Sequence, residues 1–390
     1  MDALITPSNW QKVRLGDIGI TISGLAGKTK QDFINGNAKY ITFLNVLNNV
    51  IIDTSILENV KIYPNEKQNS FKKYDLFFNT SSETPKEVGM CAVLLDDIDQ
   101  VFLNSFCFGF RIFDKAVDSL FLSYLINSEI GRKAFENLAQ GSTRYNLSKS
   151  GFNNVCLILP SLNEQIAIAN ILSDVDHYLY SLDALILKKE AVKKALSFEL
   201  LSQRKRLKGF NQAWQRVRLG DICEIVKGQQ INKISLNNTD KYPVINGGID
   251  FLGYTNKFNV SKNTIAISEG GTCGYVRFMT SDFWSGGHNY SLQKINNKVN
   301  NLCLYHILKS YEKDIMKLGV GSGLKNIQLK ALKDFEILLP PLNEQIAIAN
   351  ILSGLDNEIT SLKNKKRQFE NIKKALNHDL MSAKIRVLKK

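Results

Sequence analysis

Two stretches of this chain place an apolar residue at alternating three- and four-residue steps for several turns on end. The first runs Leu172, Val175, Leu179, Leu182, Ile186, Lys189, Lys193, Leu196, Leu200; the second runs Leu352, Leu355, Ile359, Leu362, Lys366, Phe369, Lys373, Leu376, Leu380. Only two lysines interrupt each series, and the flanking positions are largely charged. A stripe this narrow, repeating at about 3.5 residues, is a coiled-coil seam rather than the broad face of a surface helix. Each stretch predicts a helix of about 40 residues, on the order of 60 Å at 1.5 Å per residue. Ahead of the helices lie two compact apolar runs, Val155–Leu159 and Phe335–Leu339, closed by Pro160 and Pro340, which predict strands. Ser161 with Glu164 fits a capping box at the first helix start, and Pro341 fits the first turn of the second. Neither helix can hide its seam alone. The simplest partner for each is the other; the competing reading is two helices packed separately on their own domains.

The remaining sequence divides into two blocks of alternating strand-like and turn segments. In the first, Tyr40–Leu44 and Val101–Leu103 read as strands, Asn35-Gly36-Asn37 as a turn, and Ser119 to Leu138 as a helix. The second is richer in Gly and Asn, at Ile245-Asn246-Gly247-Gly248, Glu269-Gly270-Gly271 and Ser285-Gly286-Gly287-His288-Asn289, with a helix near Asn301 to Lys317. Loops of this kind on a sheet scaffold are where recognition residues usually sit. Each block opens alike, with Trp10-Gln11-Lys12-Val13-Arg14-Leu15-Gly16-Asp17-Ile18 and Trp214-Gln215-Arg216-Val217-Arg218-Leu219-Gly220-Asp221-Ile222. Each leads into the same connector: Leu162–Ser173 recurs without a change at Leu342–Ser353. Between these anchors the two blocks look unrelated. The segments expected are 1–160 (first block), 161–208 (first helix), 209–340 (second block) and 341–390 (second helix).

Charge sharpens the picture only by its location. The chain carries 50 Lys and Arg against 37 Asp and Glu, yet residues 1–160 are balanced at 16 of each and the excess lies in the second half. A basic balance admits nucleic acid as a partner without requiring it. Six scattered Cys and four isolated His show no zinc spacing, and no apolar run reaches 18 residues, which fits a cytoplasmic protein with reduced thiols. Ser23-Gly24-Leu25-Ala26-Gly27-Lys28-Thr29 ends like a phosphate-binding loop, but Ile22 stands where its leading Gly belongs. The chain contains no Pro-Asp dipeptide and no Asn-Pro-Pro-aromatic tetrapeptide, and nothing assembles into a catalytic constellation. The chain is expected to recognise rather than react.

The blocks Leu159-Pro160-Ser161-Leu162-Asn163-Glu164-Gln165-Ile166-Ala167-Ile168-Ala169 and Leu339-Pro340-Pro341-Leu342-Asn343-Glu344-Gln345-Ile346-Ala347-Ile348-Ala349 each lead into a long helix bearing Lys-Lys-Ala-Leu. With the two Trp-containing starts they make the chain resemble, over essentially its whole length, the specificity (S, HsdS) subunit of type I restriction–modification systems. The resemblance implies an α/β (α+β) chain in which two target-recognition domains are joined by two long antiparallel coiled-coil helices in a pseudo-two-fold repeat. It implies further that each domain reads half of a bipartite double-stranded DNA target. The helices would set the gap and dock two methyltransferase subunits, through Leu162, Glu164, Gln165, Ile168, Leu342, Glu344, Gln345 and Ile348, and two restriction subunits could join. No cofactor is expected on this chain; S-adenosylmethionine belongs to the methyltransferase partner, ATP and Mg to the restriction partner.

By position, the family's DNA-facing loop corresponds to Gly141–Asn146 and Gly321–Asn326. Ser142, Arg144, Tyr145, Asn146, Ser322, Lys325 and Asn326 are therefore the leading DNA candidates. Arg144 suits guanine, Asn146 suits adenine and Lys325 suits a phosphate. Lys28, Lys30, Lys86, Lys227, Gln229, Gln230, Lys262, Arg277 and His288 follow from other loops. Two other readings stay open: a coiled-coil scaffold joining two protein-binding modules, and a nuclease with an unrecognised site.

Overall fold

The computed structural model describes residues 7, 9–136, 138, 141 and 144–387. Packing divides the chain into two compact units, Met1–Leu182 with Lys366–Lys390, and Asp183–Lys365. Each unit takes part of each long helix. The helices themselves run Leu162–Leu201 and Leu342–Met381, 40 residues each.

In the first unit, Gln11–Arg14 pairs antiparallel with Cys156–Leu159, so the opening motif lies beside the strand that enters the first helix. A four-stranded antiparallel sheet follows, ordered Gly19–Ser23, Cys107–Ile112, Leu76–Asn79, Cys91–Val93. A three-stranded sheet sets Ala38–Ile41 between antiparallel Glu58–Val60 and parallel Val101–Leu103. The second unit repeats this topology. Gln215–Arg218 pairs with Glu336–Leu339, and the four-stranded order is Glu224–Lys227, Asn289–Gln293, Thr264–Ser268, Val276–Met279. Its three-stranded sheet sets Tyr242–Ile245 between antiparallel Gly253–Thr255 and parallel Trp284–Ser285. Blocks that look unrelated as sequence thus share one framework. A sheet requires only alternation and turn chemistry, which many residue sets satisfy.

Three local expectations change. The run Tyr40–Leu44 is a strand only to Ile41; Thr42 caps a helix at Phe43–Asn48, its hydroxyl accepting from Asn45 N–H at 3.2 Å. The helix expected over Ser119 to Leu138 is two, Ser119–Asn127 and Glu129–Glu136, and that near Asn301 to Lys317 is Asn301–Ser310 and Glu312–Met316. Glu164 is bonded not as a capping-box acid but to Arg386, through both its oxygens at 2.6 and 2.9 Å.

The helix seam forms as expected, with the halves antiparallel within each unit. Leu172, Leu182, Ile186, Leu200, Leu352, Ile359 and Leu380 are buried, and none of the remaining seam positions is fully exposed. Lys366 pairs with Glu370 of its own helix at 3.5 Å; the other seam lysines lie against acids of the opposite helix, Lys373 on Asp176 in the first unit, Lys193 on Asp356 and Lys189 on Glu358 (2.8 Å) in the second. At the position matching the last pair, the first unit packs Tyr178 against Phe369, the rings tilted by 54° with centroids 4.6 Å apart. Crossed pairs of this kind hold the register, since a slip of one turn would set each lysine against a different neighbour.

Candidate nucleic-acid interface

The connector fastens each block to its helix by the same side chain. Gln165 accepts from Asp118 N–H at 2.9 Å and donates to Ala116 O and Pro160 O at 3.0 and 2.8 Å. Gln345 repeats this with Asn300 N–H, Lys298 O and Pro340 O at 2.7, 3.2 and 2.7 Å. Glu344, like Glu164, is gripped by an arginine, Arg206 at 2.7 Å through both nitrogens, and also accepts from Trp214 Nε1 at 3.0 Å. Glu164, Gln165, Ile168, Glu344, Gln345 and Ile348 are buried and engaged inside their own units. They cannot form the docking surface expected of them. Their recurrence reflects a repeated internal joint. Of the large apolar residues at the outward positions of the same segment, Ile166, Leu342 and Ile346 are exposed and Leu162 is half-buried.

At one end of each four-stranded sheet the loops converge, and the backbone bonds there are equivalent in the two units. Thr80 N–H donates to Phe106 O at 2.9 Å and Leu147 N–H to Thr80 O at 2.8 Å; Glu269 N–H donates to His288 O at 2.8 Å and Ile327 N–H to Glu269 O at 2.9 Å. Leu25 N–H reaches Leu103 O and Gln229 N–H reaches Ser285 O, both at 2.8 Å. The preceding Gly24 and Gly228 are needed for this closeness, since a Cβ would fall 2.3 Å from Asn104 O or 2.1 Å from Gly286 O. Gly141 and Gly321 open the leading loops at φ 133° and 134°, a conformation that favours glycine. Position for position, Ser23, Thr80 and Phe106 in one unit therefore answer to Lys227, Glu269 and His288 in the other. The frame is shared; the chemistry on it is not.

In the first unit Tyr145 and Asn146 pair with Ser82 and Ser81, leaving Arg144 and Asn146 exposed at the rim. Asn146 Nδ2 donates to Arg144 O at 3.3 Å. Lys86 is exposed on the turn Pro85–Glu87 beside Ser82, whose hydroxyl donates to Glu87 at 2.8 Å. Ser142 lies outside the described residues. Lys28 is a correction: its ammonium is buried against Glu66 and donates to Lys61 O at 2.6 Å, so it is not available to DNA. Lys30 is exposed, but its turn is bonded beside the outer strand Glu58–Val60, through Lys61 N–H to Asp32 O at 2.7 Å, away from the converging loops.

In the second unit Lys227, Gln229, Gln230, His288, Ser322, Lys325 and Asn326 are exposed on the converging loops. Lys262 is not brought to them, and Arg277 is already engaged. Lys262 precedes the strand Thr264–Ser268 while Glu269 follows it, a separation of about 17 Å along the strand. Arg277 is spent on Ile249 O and on the rings of Phe251 and Tyr275, 5.0 and 5.4 Å from their centroids. Residue reasoning overlooked Lys149, which donates to Ser23 Oγ at 2.7 Å, the exposed Phe106, and Glu269. Glu269 adjoins the Gly270-Gly271 turn, but acids are discounted on a surface meant for a polyanion. Among the described residues no group of three or more His, Cys, Asp or Glu could hold a metal ion, and no helix is long and apolar enough to cross a membrane.

The family model described as the type I restriction modification DNA specificity domain matches residues 7–190 and 211–371. A Mycoplasma pneumoniae protein named a type I specificity subunit is 39% identical over 154 residues, covering 39% of this chain and 41% of that protein. The match thus spans about two fifths of that relative. A Methanocaldococcus jannaschii protein named a type I restriction enzyme specificity subunit is 28% identical over 410 residues, covering 98% and 95%. The crystal structure of a type I restriction–modification S subunit from M. genitalium matches the fold with a TM-score of 0.71 at 20% identity, covering 97% of both chains.

Proposed function

Because this chain belongs to the type I restriction modification DNA specificity family, we propose that its two units read the two halves of a split double-stranded DNA target. The observation that carries this reading is the shared loop frame bearing different side chains, Ser23, Thr80, Phe106 and Lys149 against Lys227, Glu269, His288 and Leu329. A frame kept while its tips diverge suits two different half-sites on one kind of ligand. Arg144 and Asn146 are the base readers proposed for the first unit; Lys86, Lys149 and Lys325 are proposed phosphate contacts.

The chain supplies recognition and no chemistry. Two copies of a methyltransferase subunit, carrying S-adenosylmethionine, dock on the outward residues of the repeated connector, Leu162 with Ile166 and Leu342 with Ile346, and the paired helices set the gap between half-sites. Restriction subunits using ATP and Mg complete the assembly, and the complex works in the cytoplasm. The same segment displayed at two places on one chain fits one partner bound twice.

Mapping methylated adenines across the host genome, with and without this gene, tests the reading. Loss of methylation at one bipartite motif is the expected result. A genome whose methylation is unchanged, together with purified chain whose duplex affinity does not fall with salt, would overturn it.

A further inference from the structure

The second unit carries a buried carboxylate at the centre of a face that, on the reading above, meets a polyanion. Glu269 is 9% exposed. Its Oε1 accepts from Lys227 Nζ at 2.6 Å and lies 3.2 Å from the hydroxyl of the buried Tyr290, which itself lies 2.9 Å from Ile327 O. Burial and the nearby Glu269 charge push this hydroxyl up to about 12, so it keeps its proton. His288 Nδ1 stands 4.0 Å from the other oxygen. Around the pair the loops meet backbone to backbone: a Cβ at Gly247 would fall 2.6 Å from Gly270 O, and one at Gly270 would fall 2.3 Å from Asn326 Oδ1. The carboxylate is the floor and the ammonium the exposed tip, the Lys227 side chain being 54% exposed against 11% for Glu269.

We infer that Lys227 is a base-reading residue of the second unit and that Glu269 is the positioning residue which aims it at an edge presenting acceptors only, the O6/N7 edge of guanine. A paired lysine is close to neutral at a distance, so it adds little to the general attraction for phosphates. What the pair offers instead is direction. One N–H is fixed on Glu269, and the remaining donors leave from a known place. Guanine satisfies them with two acceptors, whereas adenine sets an amino group beside its N7. The corresponding Ser23 and Thr80 carry no charge, so the first unit does not read its half-site by this device.

The test is selection from a randomised duplex library by the complex purified through a tag on the full chain. Lys227→Met is expected to lose preference at one base pair of one half-site by roughly ten- to a hundredfold, with an unchanged salt slope. Glu269→Gln is expected to lose the same preference while binding non-specific duplex more tightly, its log–log salt slope steeper by about 0.9 as the freed lysine finds a phosphate. Lys227→Arg should restore the guanine. Undiminished selection of the other half-site shows that each variant is folded. A Lys227→Met protein with intact base preferences and a shallower salt slope would make Lys227 a phosphate contact and overturn the inference, as would unaltered preferences in Glu269→Gln. Lys325→Ala separates this from failure of the broader reading. If it too changes neither affinity nor salt slope, the loop cluster is not the DNA face.

Discussion

Glu164 and Glu344 are buried anions, and each persists because an arginine from a distant part of the chain binds both its oxygens. Removing one partner strands the other's charge, which costs more than the pair itself contributes. Arg386→Ala is therefore expected to destabilise the first unit by about 2–3 kcal/mol, the arginine being partly exposed. Urea denaturation measures this, and adding Glu164→Gln should recover part of the loss. His306 offers a second residue-scale expectation. Burial pushes it down to about 4; Asp356 works against this and Lys193 with it, while Ser353 Oγ sits 3.0 Å from its Nε2. Its ordinary value is near 6.5, so below that the unfolded chain takes up a proton that the folded unit refuses. Stability from this group is complete above pH 6.5 and is lost as the pH falls toward 4, at most about 3 kcal/mol. In denaturation series between pH 4 and 7, His306→Gln should show a flatter pH dependence than the parent; parallel curves would contradict the assignment.

The long helices succeed as elements because each lends its seam to the other. Propensity alone would not hold 40 residues of such mixed sequence in a helix. Leu182 is 5% exposed and Leu187 66%, although they lie five residues apart on one helix. Leu182→Asp should accordingly lower stability by about 3–5 kcal/mol, whereas Leu187→Asp should stay within about 0.5 kcal/mol. Thermal unfolding followed by helical circular dichroism distinguishes them, and equal effects would mean that the seam is drawn on the wrong face. The period of the seam was legible because it spans many turns. Short elements were less so: Thr42 ends a strand and caps a helix within one apolar run, and Ser128 divides a helix that its hydrophobicity alone would continue. A single cap decides such boundaries, and composition does not register it.

At the scale of the molecule, each compact unit gathers segments from far apart in the chain, the first bringing Arg386 back onto Asn9 near its start and onto Glu164 of its first long helix. If the paired helices set the spacing between half-sites, one added heptad in each, after Leu182 and after Lys365, keeps every seam position in phase. It lengthens the spacer by about 10 Å, roughly three base pairs. Library selection should return the same bases with a wider gap; loss of all binding is the other outcome consistent with the proposal, since three pairs also rotate one half-site by about 100°. Retention of the original gap at original affinity would exclude the helices as the ruler.

The residues by themselves determined the repeat, the two long helices and the strands that lead into them, because these rest on periodicity and on identical local segments. They also drew attention to Arg144, Asn146, Lys325 and Asn326, which are exposed, although Asn146 and Asn326 lie in two-residue strands and a short helix separates them from the last strand of each block. Only the tertiary structure decided which polar residues of the connector face inward, because a Glu and a Gln on an amphipathic helix are drawn to solvent unless a distant Arg206, Arg386, Asp118 or Asn300 meets them. It likewise turned Lys28 inward onto Glu66, left Lys262 at the far end of its strand, and brought Lys227 onto Glu269 across 42 positions of sequence. Charge and exposure belong to a residue's neighbours in space, and those neighbours come from strand pairing, which the order of residues does not display.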